Sequence, residues 1–202
     1  MCGAFEQHTK AMLDWVDLLA DWPGDVSRIN IRPTMMAGTL DAEGYRERKW
    51  SLIPAWAKEP KLSFSTFNAR AETLSEKPAF RQAWRRSQRC VVPASAYFEW
   101  PKHDGKKQCH RLYKADGSPW LMAGLWEFWQ QGSEHCDSFT VITTTPSPDI
   151  EWVHHRMPLM IDPQDLDCWL TGSAEEAERL LTSKSRDDIV CKPGDPKEAP
   201  ED

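Results

Sequence analysis

Between Arg89 and Thr144 short apolar runs alternate with turn signals, and this stretch limits the fold more than any other. Arg89 to Val92, Tyr97 to Trp100, Gln108 to Tyr113, Trp120 to Trp129 and Ser138 to Thr144 read as five successive strands. Asp104-Gly105, Asp116-Gly117 and Gln131-Gly132 separate them, since Gly supplies the positive φ that tight turns require. Such a run predicts an antiparallel sheet or small barrel. Tyr45 to Ile53, ending at Pro54, and the apolar Met157 to Ile161 add two more strands, and residues 27–40 read as extended.

Helical patterns flank this core. Thr9 can cap a helix running to Trp22, with Met12, Trp15, Val16, Leu19 and Trp22 on one face and Pro23-Gly24 at its end. Ser75 with Lys77-Pro78 opens another through Ser87, with Phe80 and Trp84 inward at i, i+4. Pro163 starts a third, closed by Gly172. Ser173 and Glu176 form a capping box for a fourth, through Leu181. Trp56 to Phe67 has no period and reads as a loop, where functional residues often sit. The expected class is α+β, a single domain with an antiparallel barrel-like β core flanked by helices. It spans residues 1–193, and 194–202 form a disordered acidic, Pro-rich tail.

Composition narrows the function. The net charge of −6 weighs against a partner held by overall basicity. Arg81, Arg85, Arg86 and Arg89, and then Lys102, Lys106 and Lys107, still leave room for a local basic face. Six cysteines lack a C-x-x-C pair, so no metal site is expected and no cofactor is called for. With no apolar run near ~18 residues and no signal-peptide pattern, the expectation is a cytoplasmic chain with reduced thiols and no membrane contact. Most of the eleven tryptophans should be core, with a few free to stack on bases.

Chemistry enters at Met1-Cys2-Gly3. Trimming of Met1 would place a thiol, of ordinary pKa about 8.5, beside an α-amine of pKa about 7.7–8.0. The thiol alone can attack an acyl carbon. Alternatively, the amine condenses with an aldehyde and the thiol closes a thiazolidine ring.

Three further segments accompany it: Asn68-Ala69-Arg70-Ala71-Glu72-Thr73, Pro93 to Trp100, and His154-His155-Arg156-Met157-Pro158. In this order and spacing the four resemble the SOS-response-associated peptidase family, the abasic-site processing proteins, over the chain up to about residue 192. The resemblance implies binding of abasic single-stranded DNA and a thiazolidine crosslink between the N-terminal Cys and the ring-opened sugar aldehyde. It implies Cys2, Asn68, Glu99 and His154 as catalytic residues. Asn68 would orient the amine or the sugar oxygens. Glu99, raised toward neutrality by burial, would move a proton, and His154 would shuttle one near pH 7.

Arg70 and Arg156 are expected on phosphates, Arg70 otherwise pairing with Glu72. Trp56 is a stacking wedge or a core residue. Asn30 and Arg32 join the DNA-binding set, Arg32 offsetting Ala4, which stands where relatives carry Arg. His155 is secondary, and Ala96 stands where Gly is frequent. A monomer is expected. Three rival readings use the same residues: a thiol peptidase with Cys2 and His154, including self-removal of Met1; an N-terminal-Cys amidohydrolase; and a non-catalytic DNA-binding module.

Overall fold

A computed structural model describes residues 2–8, 22–23, 27–182 and 184–198, and alternating apolar positions and glycine-bearing turns divide these described residues into fourteen strands. They are β1 (Phe5–Gln7), β2 (Arg28–Ile31), β3 (Met36–Asp41), β4 (Gly44–Trp50), β5 (Asn68–Arg70), β6 (Arg89–Ala94) and β7 (Ala96–Glu99). There follow β8 (Lys102–His103), β9 (Lys106–Lys107), β10 (His110–Lys114), β11 (Trp120–Gln131), β12 (Glu134–Thr144), β13 (Met157–Pro158) and β14 (Ile189–Pro193). The described α-helices are α1 (Arg81–Arg85), α2 (Leu166–Thr171) and α3 (Ala174–Arg179). The helix expected from Thr9 lies, up to residue 21, outside the described residues. Gly132, at φ 60°, turns β11 into β12, a conformation that a Cβ would oppose.

The strands form two main sheets. One has the order β14-β10-β7-β1-β2 and is antiparallel throughout. In the other, β11, β6, β3, β4 and β12 pair in sequence and β12 pairs back onto β11, so the ring of pairings closes like a barrel. The five strands read as one run are thus divided between two sheets. The chain changes sheets at Ser95, between β6 and β7. Two pairings onto β12 are parallel: β4, in the ring, and β5, off it, lie one after the other along β12, Trp50 opposite Phe139 and Asn68 opposite Val141. Residues 51–67 leave the sheet between them and return on the same line, which is why two strands of one direction can share an edge.

Period-two alternation gives the closed sheet a core on each face. Val91, Leu121 and Leu125 point one way, packing with Leu159 and with Trp169 of α2. Cys90, Val92 and Met122 point the other way, meeting Phe5, Tyr97 and Leu112 of the first sheet. Trp50, Trp120, Trp129 and Trp169 are fully buried, each worth about 4–6 kcal/mol of apolar transfer at full burial. The Ser173–Glu176 capping box forms as expected, and Gly172 closes α2.

The helix expected over Ser75 to Ser87 is corrected to α1 alone, preceded by turns. Pro78 has no N–H to donate and pushes Lys77 out of the α region. Phe80 and Trp84 still face inward, both buried.

Candidate active site

Residue 2 reaches the interior because the chain runs straight from it into β1, which is held between β7 and β2. The Phe98 N–H donates to the Ala4 carbonyl at 2.9 Å, so the end of β7 runs beside residues 2–4. Cys2 is fully buried, and its thiol donates to the Ala4 carbonyl at 3.7 Å. Burial, reinforced by the Glu99 charge, pushes this thiol well above its ordinary pKa. At rest it is a thiol, not a thiolate. Ala4 is itself buried, so position 4 offers nothing to solvent.

Asn68 opens β5 on the edge of β12, and its Nδ2 donates to the Cys2 carbonyl at 2.8 Å. Its Oδ1 is buried without a hydrogen-bond partner among the described residues. Glu99 ends β7 and is 5% exposed. Burial pushes its carboxyl up to about 7, against the opposing pull of the amino-terminal charge. At neutral pH it is therefore divided between acid and base forms, as proton transfer requires.

His154 precedes β13, and β12 brings it in. Thr143 lies opposite Arg70 of β5 and opposite Pro158 of β13. The His154 Nδ1 lies 3.0 Å from the Arg156 backbone N–H and 3.2 Å from the Arg156 carbonyl, accepting from the one or donating to the other according to tautomer. Burial, then the amino-terminal charge, then His155 lower its pKa to about 4. At pH 7 it is a neutral imidazole rather than a half-charged shuttle. His155 stacks on it, centroids 4.2 Å apart. Asn68 is bonded to Cys2, and the Glu99 charge acts on the Cys2 thiol. Residues far apart in sequence come together there.

The expected DNA contacts are less uniform. Arg70 is exposed and has no ion pair among the described residues. With Trp56, Phe64, Asn68 and Lys77 it lines a cleft of about 510 Å³. Trp56 is 50% exposed, its Nε1 donating to the Pro78 carbonyl at 3.0 Å, which settles its placement as outside the core. Arg156 differs from expectation. Its guanidinium grips both Glu72 oxygens at 2.7 and 2.8 Å and donates to the Thr143 carbonyl at 2.6 Å. It braces the β12 end rather than offering a free cation, and it takes the Glu72 partner that Arg70 could have had. Arg32 donates to Asn30 Oδ1 at 2.6 Å and lies over the Trp100 ring at 4.7 Å. Neither Arg32 nor Asn30 lines the Trp56 cleft.

Phe64, 47% exposed in an aperiodic loop, and Lys77, in a stretch that reads as helix, also line the cleft and are not marked out in the sequence. Nor is Tyr97, although period two from Glu99 puts it on the same sheet face. Among the described residues no helix is long and apolar enough to cross a membrane, and no three His, Cys, Asp or Glu side chains are grouped to hold a metal.

Residues 1–196 match the family model described as SOS response associated peptidase (SRAP). The abasic site processing protein YoaM of Bacillus subtilis is 32% identical over 202 residues, covering 94% of this chain and 88% of YoaM. YoqW, an abasic site processing protein of the same organism, is 37% identical over 157 residues, 75% of this chain and 70% of its own. A solved structure from Bordetella bronchiseptica has a TM-score of 0.85 at 25% identity, covering 96% of this chain and 100% of that one.

Proposed function

The chain belongs to the SOS response associated peptidase family, and from that premise we propose that it processes abasic sites in single-stranded DNA by covalent capture. Removal of Met1 frees the Cys2 α-amine. That nitrogen attacks C1′ of the ring-opened sugar, and water leaves as the imine forms. Addition of the thiol across the C=N bond then closes a thiazolidine.

Glu99 carries this reading. A carboxyl buried beside residue 2 and raised to about 7 can give a proton to the departing oxygen and take one from the thiol. Asn68 holds the Cys2 carbonyl, fixing the direction of the amine. The neutral His154 imidazole offers its Nε2 to a sugar oxygen as a hydrogen-bond partner. Trp56 and Phe64 offer stacking faces for bases, and Arg70 and Lys77 offer charge for phosphates. A thiol peptidase acting on general substrates favours a thiolate beside an imidazolium. Here burial keeps both groups neutral, which weighs toward the imine route, where the amine attacks first.

The test is incubation with uracil-containing single-stranded DNA treated with uracil glycosylase. A heat-stable adduct is expected, with intact mass equal to protein lacking Met1 plus DNA minus one water. Cys2→Ala should remove it. No adduct from the unaltered protein, or an equal adduct from Cys2→Ala, would overturn the proposal.

A further inference from the structure

Tyr97 stands two residues before Glu99 on β7, so both side chains leave the same face of the sheet. It lies opposite Phe5 on one side and Leu112 on the other. All three belong to the buried cluster that contains Cys2. Tyr97 is 1% exposed, and its hydroxyl is buried without a hydrogen-bond partner among the described residues. Buried phenols ordinarily find one, and leaving one out is costly. Burial, then the charges of Cys2, Glu99 and Cys191, push this phenol well above its ordinary pKa. It therefore keeps its proton at neutral pH and lies within electrostatic reach of the sulfur and the carboxyl.

The Cys2 sulfur needs such a donor. The Ala4 carbonyl that receives its S–H suits a thiol and repels a thiolate, and the Asn68 amide is engaged with the Cys2 carbonyl.

We propose that Tyr97 is a positioning residue for the Cys2 sulfur, its hydroxyl donating a hydrogen bond to the thiolate that forms as the sulfur attacks the imine. This rests on the thiazolidine reading above. In the ring-closing step the thiol proton passes to the Glu99 carboxylate and the sulfur lone pair forms the S–C1′ bond. The C=N π pair moves onto nitrogen, which takes the proton back from Glu99. The Tyr97 proton stays on its oxygen throughout.

Tyr97→Phe removes one oxygen and nothing else. Mixed with abasic single-stranded DNA and sampled over time, each protein is quenched in two ways: borohydride traps the imine, and heating leaves only the thiazolidine. The variant should form imine at the wild-type rate and convert it to heat-stable adduct about tenfold more slowly, the scale of one hydrogen bond to a charged group. Its thermal midpoint should equal or exceed that of the wild type. Ring closure at the wild-type rate, an equal slowing of both steps, or a lowered midpoint each overturns the assignment. If the wild type forms no heat-stable adduct, the thiazolidine reading itself has failed, a result separate from any behaviour of the variant.

Discussion

Two buried polar regions of this protein are built on opposite plans. Around Arg48 of β4, 1% exposed, the guanidinium donates to Thr39 at 2.6 Å, to Asp137 at 3.1 Å and to Asp41, while it lies over the Trp126 ring at 4.7 Å. It ties β4 to both its neighbours, β3 and β12, with each charge answered. Around Cys2, by contrast, the Asn68 Oδ1 and the Tyr97 hydroxyl lack partners among the described residues, and Glu99 is held near its own midpoint. A satisfied buried network specifies a fold, whereas polar atoms left unanswered beside a buried thiol are available to a ligand. The first region uses its polarity to fix register, and the second leaves polar atoms open beside a buried thiol.

Arg48→Ala should break the contrast most severely. Asp41 would stay buried without its cation, costing about 3–5 kcal/mol in denaturant unfolding, while crosslinking per folded molecule stays unchanged.

Glu99→Gln should act in the opposite sense. A free glutamate ionises near 4.5, whereas the folded one keeps its proton to about 7. The unfolded chain thus loses that proton first, and wild-type stability falls as pH rises from about 4.5 to about 7. The amide, neutral throughout, escapes that fall. Its thermal midpoint should match wild type below pH 4.5 and exceed it above pH 7 by the equivalent of about 3 kcal/mol. Crosslinking should drop about 10²-fold or more. A variant less stable at pH 8 would contradict the contrast.

Trp56→Ala should leave folding almost untouched and weaken single-stranded DNA binding by about 1–3 kcal/mol, read by fluorescence anisotropy. Glu72→Gln should be mildest, within about 1 kcal/mol of wild type in unfolding, because its carboxylate is half exposed. An effect as large as that of Arg48→Ala would place this pair with the satisfied network.

Much of the site was legible because its chemistry is written in residue types: a thiol at position 2, an amide, a carboxyl between aromatics, an imidazole before Arg156. Strand positions were legible for the same local reason, through alternation and glycine turns. The pairing of Arg156 was not legible because a cation in sequence carries no sign of its partner, and Glu72 lies 84 residues away. Tyr97 was passed over because an aromatic in an apolar run reads as core until its hydroxyl is seen to be unanswered. The short α1 shows the limit of periodicity: Phe80 and Trp84 kept their spacing while the residues before Arg81 form turns instead of a continuous helix.

The order of amino acids by itself determined which groups could react and which stretches would extend. Only the tertiary structure decided that β4 and β5 share one edge of β12, that Asn68 reaches the Cys2 carbonyl across 66 residues, and that Glu99 titrates near 7 while His154 titrates near 4. Register and desolvation are set by whatever packs around a group, and that is assembled from strands distant in the chain.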